Sequence, residues 1–308
     1  MEIMKVEGLT KVIKKKTLIY DISFSIKQGE VFGFLGPNGA GKTTTIRMLT
    51  GMIKPTSGNI YINGWNIETD FSKAMRHMGG IVENPSLYLY MSGWENLKQR
   101  ARLLDSNPTD KDLSDIVELI GLSSRIHEKA VHFSLGMKQR LGIGLALIGR
   151  PKMIILDEPI NGLDPQGIID VRNLIQYLSR EKNISVFISS HILSELEHVL
   201  DRGIIIHEGK KVTDIEKKDL QEADKHTYQI EFQTELTKEE IKAIFHLHKV
   251  QIIHMTDSHI HFSTNTNGAQ QILSSFINQK IVITHFLKKE KSLERIYLEA
   301  IGSKEKSV

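Results

Sequence analysis

Residues Gly36–Thr43 read GPNGAGKT and fit the pattern G-x-x-x-x-G-K-[ST]. Gly36, Gly39 and Gly41 leave room for backbone N–H groups to approach phosphate oxygens. Pro37, Asn38 and Ala40 complete the loop, and Lys42, Thr43 and Thr44 open a helix. The start of that helix adds partial positive charge to the same place. The Lys42 ammonium can reach the β and γ phosphates of a nucleotide, and the Thr43 hydroxyl can hold Mg²⁺. A glycine-rich turn with no ligand is the alternative, but a buried strand before the loop and a helix after it supply the context that phosphate binding requires.

Three more groups of residues can serve that chemistry. Asp157 ends the apolar run MIILDEP, placed beside the loop strand, where its carboxylate can hold Mg²⁺ through water. Glu158 follows, on the opposite side if the strand continues, and can take a proton from an attacking water. Without the phosphate loop, an Asp-Glu pair reads better as a solvated strand end. His191 follows VFISS at another strand end, within reach of a γ-phosphate. Ser134 and Gly136 lie in FSLGMKQR, a second helix start. Ser134 either caps the helix or faces a phosphate with its hydroxyl, and Gly136 lets a phosphate approach the backbone. This clamp follows a helical insertion and does not obviously reach its own loop. A two-fold pair, each clamp closing on the other subunit's nucleotide, solves that geometry.

The elements that position these residues follow from periodicity. KVEGLTKVI, YDISFSI, GEVFGFLG, MIILD, ISVFISS and GIIIH read as strands, GNIYINGWNI as a hairpin and KTTTIRMLTG as a helix. From residue 85 to about 148 the pattern is helical. Ser92 with Glu95 has capping-box spacing, and Thr109 precedes an apolar stripe of Leu113, Ile116, Val117 and Ile120 that Gly121 ends. After residue 221 the character shifts to a β-α-β-β-α-β order, that of a small ferredoxin-like α+β unit, with a last helix over SLERIYLEAIG. The expected division is therefore 1–221 and 222–308, with an α/β mixed-sheet core and a helical subdomain in the first part.

The 308 residues are 40% apolar and 25% charged, the mix of an ordinary globular protein. A formal net charge of +3 and 6% aromatic residues give no basic face or stacking platform for nucleic acid. No cysteine is present, so no disulfide framework is expected. The longest apolar run near the middle, LGIGLALIG, is about half of what spans a bilayer. No direct membrane insertion is expected. Two His-x-His pairs, His246/His248 and His259/His261, stand in the C-terminal part. The second pair shares a strand face and reads as either a metal pair or surface histidines, with no third ligand evident.

Taken in order, the motifs resemble the ATP-binding subunits of ABC transporters. The phosphate loop is GPNGAGKTT, a Q-loop position falls in IVENPSLY, and the signature is FSLGMKQR. Walker B and its glutamate are IILDEP, the D-loop is NGLDP and the H-loop is His191. The resemblance covers about residues 1–215. It implies ATP and Mg²⁺ as ligands, and a dimer in which each signature caps the partner's γ-phosphate. It places Asp164 at the dimer seam and makes His191 a sensor of the γ-phosphate. It also implies a separate transmembrane permease as partner, with the chain on the inner face of the membrane.

The chain departs from the family pattern in three places. Phe133, Leu135 and Met137 replace three of five signature residues. Glu83 stands where a glutamine touches Mg²⁺ or the attacking water, and Ile13 where an aromatic ring stacks on adenine. These changes, with GMKQRLGI and the turn in ENPSLY, resemble the branch that exports bacitracin and lantibiotics for self-protection, and the tail SLERIYLEAIG resembles that of the wider drug-export and resistance group. The alternative within the family is a non-transport ATPase acting on ribosomes or DNA. Such members usually carry two cassettes or long coiled coils, and this chain has one cassette and no long heptad run.

Overall fold

The computed structural model describes residues 1–104, 107–217, 226–234, 237–289, 293, 296 and 297. It divides into two compact units, Met1–Glu216 and Lys217–Val308. The boundary expected at residue 221 lies outside the described residues. So does the expected final helix, apart from Leu293, Ile296 and Tyr297.

The first unit is built from strands β1 (Glu2–Ile13), β2 (Lys16–Lys27), β3 (Val31–Leu35), β4 (Ser57–Ile62), β5 (Trp65–Asn66), β6 (Met78–Ile81), β7 (Met153–Asp157), β8 (Ser185–Ser190), β9 (Arg202–His207) and β10 (Lys210–Glu216). Its helices are α1 (Lys42–Leu49), α2 (Phe71–Met75), α3 (Gly93–Ala101), α4 (Asp110–Leu119), α5 (Leu135–Leu147), α6 (Pro165–Arg180) and α7 (Leu193–Leu196). The strands form one mixed sheet in the order β5-β4-β1-β2-β10-β9-β3-β8-β7-β6. The β9-β3-β8-β7-β6 stretch is parallel, and β1 pairs antiparallel with β2 and β4. All residues of β3, β7 and β8 are buried, as expected of central parallel strands. Phe24 of β2 stacks on Phe32 of β3 with ring centroids 5.1 Å apart; Phe187 packs against both, and Phe34 against Phe24 and Phe187. Burying each such ring contributes about 1.5–3 kcal/mol. These rings tie the antiparallel and parallel parts of the sheet into one core.

One expectation needs correction. β7 does not lie beside β3, because β8 runs between them. Sequence alternation cannot reveal that order, since all three strands are buried along their whole length.

The helical region holds α3, α4 and α5. Ser92 and Glu95 form a reciprocal capping box on α3, as Thr109 and Asp112 do on α4. N–H and O–H donation from Ser92 holds the Glu95 carboxyl below its usual range, and Thr109 does the same for Asp112. Each box satisfies helix N–H groups that would otherwise lack partners.

In the second unit, β11 (His226–Gln233), β12 (Gln251–Met255), β13 (His259–Thr264) and β14 (Val282–Lys289) form an antiparallel sheet in the order β12-β13-β11-β14. Helices Lys238–Leu247 and Thr266–Asn278 complete a ferredoxin-like arrangement. Tyr228, Ile230, Phe232, Phe245, Phe262 and Phe276 form its core. His246 and His248 fall at the end of the first of these helices, where His248 Nε2 lies 2.7 Å from Ser275 Oγ. The rings of His259 and His261 lie near that of His254, with centroids 5.6–6.1 Å apart. No group of three His, Cys, Asp or Glu side chains among the described residues is arranged to hold a metal.

Candidate functional site

β3 leads straight into the phosphate loop. Gly39 has φ 80° and Gly41 φ 105°, conformations that a side chain would strain. They turn the chain so that α1 begins at Lys42 with its N-terminus toward the loop. Lys42 is 6% exposed, and its ammonium donates to the carbonyls of Gly36 (2.8 Å) and Pro37 (3.2 Å). Ala40 is buried beneath the loop.

Two parallel neighbours deliver the acids and the histidine. β7 ends at Asp157, which pairs in register with Ser189 of β8, while Ser190 pairs with Leu35 of β3. His191 therefore leaves the sheet between the loop and Asp157. Asp157 is 2% exposed and accepts a 2.5 Å hydrogen bond from the Ser189 hydroxyl. Continued alternation would send Glu158 to the other side. Instead the strand stops, and Glu158 takes φ 50°, its N–H donating to Ser189 Oγ at 2.9 Å. This turn carries its carboxylate back toward the loop. Glu158 Oε1 lies 3.1 Å from Lys42 Nζ, and Oε2 lies 2.8 Å from His191 Nδ1 and accepts from the His191 N–H at 3.3 Å.

Asn38, Gly39, Gly41, Lys42, Thr43, Thr44, Glu158, Asn161 and His191 line one open cavity. Asn161 is the member that sequence reasoning missed. Its signal was a polar residue three positions after Glu158, in a turn closed by the Asn161 N–H on the Glu158 carbonyl at 3.1 Å.

The other expected residues do not line this cavity. Glu83, with φ 64°, pairs its carboxylate with Arg47 of α1. Ile13 closes β1 and is 43% exposed. Ser134 caps α5, its hydroxyl accepting from the Met137 N–H at 3.2 Å. Asp164 caps α6 by accepting from the Gly167 N–H at 3.2 Å. Gly136 faces Gly167, and a Cβ on it would meet the Gly167 Cα at 3.5 Å, an ordinary contact.

Residues 19–161 match the family model described as ABC transporter. The uncharacterized ABC transporter ATP-binding protein YhcH of Bacillus subtilis (strain 168) is 40% identical over 99% of this chain and 98% of its own length. The bacitracin transport ATP-binding protein BcrA of Bacillus licheniformis is 39% identical over 97% of each. The chain belongs to the ATP-binding subunits of ABC transporters. Among solved structures, an ATP-binding cassette of an ABC transporter in its ADP conformation aligns with 71% of this chain and 92% of its own, at TM-score 0.64 and 26% identity. As a member of this family, the ABC subunit binds ATP and is an ATPase. Among its described residues no helix is long and apolar enough to cross a membrane. ABC subunits of this kind dimerise and work with membrane permeases.

Proposed function

We propose that this subunit powers a separate permease that exports a peptide antibiotic or a drug, so that the cell resists the compound. The similarity to a bacitracin transport ATP-binding protein along nearly all of both chains carries this reading. The test is to express the subunit with a candidate permease in a bacitracin-sensitive host. Growth at raised bacitracin or lantibiotic concentrations is expected, and its loss with Lys42→Ala. Unchanged sensitivity to every peptide antibiotic tried would overturn the substrate class. No observation favours an action on ribosomes or DNA.

The cavity suits hydrolysis of the terminal phosphate. The loop N–H groups and Lys42 hold the triphosphate, and charge developing on the γ-phosphate is met by that ammonium. Glu158 accepts a proton from the water that attacks phosphorus, and ADP leaves with its β-phosphate oxygen. His191 orients the Glu158 carboxylate through its 2.8 Å contact and senses the γ-phosphate. Thr43, Asp157 and Glu83 offer only oxygen donors, which fits Mg²⁺ bound mostly by phosphate and water. When bound, the ion neutralises charge on the phosphate oxygens. Ile13 takes the place beside adenine.

Ser134, Gly136 and Asp164 act on a second copy in this reading. They stay off the cavity of their own chain. Internal packing leaves room for a side chain at Gly136, so a close approach from outside accounts for the glycine. A two-fold homodimer then places each Ser134 and Gly136 against the partner's γ-phosphate, with Asp164 at the seam. ATP closes the pair and hydrolysis opens it, on the cytoplasmic side of the membrane through the permease.

A further inference from the structure

We infer that Arg47 is a positioning residue for Glu83, making a carboxylate usable beside the nucleotide's phosphates. The inference rests on the reading of Glu83 as a contact for Mg²⁺ or the attacking water. Arg47 follows Thr43 by four residues on α1, so the two share one helix face, a single turn apart. Glu83 lies just past β6, and its carboxylate pairs with the Arg47 guanidinium. The ion pair therefore anchors the loop after β6 to the face of α1 that carries Thr43. Along the helix axis the Arg47 backbone stands about one turn, about 5 Å, from that of Thr43.

The chemistry explains why an anchor is needed. A carboxylate beside a triphosphate adds a like charge, which disfavours nucleotide until a cation offsets it. A neutral amide at the same position brings no such cost. Arg47 supplies a fixed positive charge on the adjoining helix, in a planar form suited to carboxylates. Both side chains are about half exposed, so the coupling is modest and weakened by salt. Arg47 and Glu83 thus form a matched pair: removing the arginine alone leaves a lone negative charge in the path of ATP, while removing both charges does not.

The test is a cycle of Arg47→Ala, Glu83→Gln and the double variant in the full chain. ATP affinity and the Mg²⁺ concentration at half-maximal ATPase rate are read at low and high salt. Arg47→Ala is expected to weaken ATP about two- to fivefold at low salt and to raise the Mg²⁺ requirement, as sized by exposed ion pairs. Adding Glu83→Gln is expected to restore both values, and Arg47→Lys to restore them in part. High salt is expected to shrink the difference. A double variant as impaired as Arg47→Ala would overturn the pairing, as would an Mg²⁺ requirement unmoved by Arg47→Ala. Glu83→Ala separates the two readings. If it leaves the Mg²⁺ requirement of the wild type unchanged, Glu83 does not act at the metal and the inference falls with that premise. If Glu83→Ala shifts the requirement while Arg47→Ala does not, only the role of Arg47 falls.

Discussion

Lys42 Nζ lies 3.1 Å from Glu158 Oε1, so the cation expected to meet ATP is paired with the acid expected to activate water. Both are largely buried, and Glu158 also holds the ring of His191. A γ-phosphate must compete with Glu158 for that ammonium. Binding then releases the carboxylate toward water. Glu158→Gln weakens this competition and cannot accept the proton. ATP should therefore bind at least as tightly, with turnover slowed about 10²- to 10⁴-fold, the usual contribution of a general base. Size-exclusion chromatography with ATP and Mg²⁺ should show a trapped dimer. Turnover at the wild-type rate would remove Glu158 from the base role.

Ser134 caps a helix in its own chain, and the proposed dimer gives it a second task. Ser134→Ala and Thr109→Ala each remove an N-cap hydroxyl, costing about 1 kcal/mol of stability. Similar small losses in melting temperature are expected. Only Ser134→Ala should reduce ATPase and ATP-driven dimerisation. Equal activity in the two variants would mean that Ser134 is a cap and nothing more.

Ile13 offers dispersion contact but no π face. Stacking worth about 1–3 kcal/mol per base in nucleic-acid complexes is then absent. ATP and GTP are expected to bind with similar affinity. Ile13→Tyr should tighten both, by about tenfold for a gain of 1.4 kcal/mol. Calorimetric titration of each nucleotide checks this, and strong selectivity for ATP in the wild type would contradict it.

A chain ending at Lys217 keeps every strand of the ten-stranded sheet and the whole phosphate cavity. It is expected to fold and to bind nucleotide with an affinity close to that of the full chain. Circular dichroism and nucleotide titration of the fragment would show it. An insoluble or unfolded fragment would mean that the C-terminal unit supplies part of the first unit's stability.

How the residues divide between local and tertiary control has a physical reason. The sequence alone determined the phosphate loop, because its glycines, Lys42 and Thr43 act within one strand-turn-helix. The capping boxes of α3 and α4 are likewise local, as is the β-α-β-β-α-β order of the second unit. The family was legible in the order of the motifs. What only the tertiary structure decided lies across the sheet. Fully buried parallel strands look alike in sequence, so the place of β8 between β3 and β7 depended on packing and hydrogen-bond pairing. The direction of Glu158 followed from a positive φ stabilised by Ser189 from the next strand, which strand alternation does not encode. Asn161 entered the cavity through the turn that follows. The partner of Glu83 was invisible for the same reason: Arg47 stands 36 positions earlier, and the fold brings the two together.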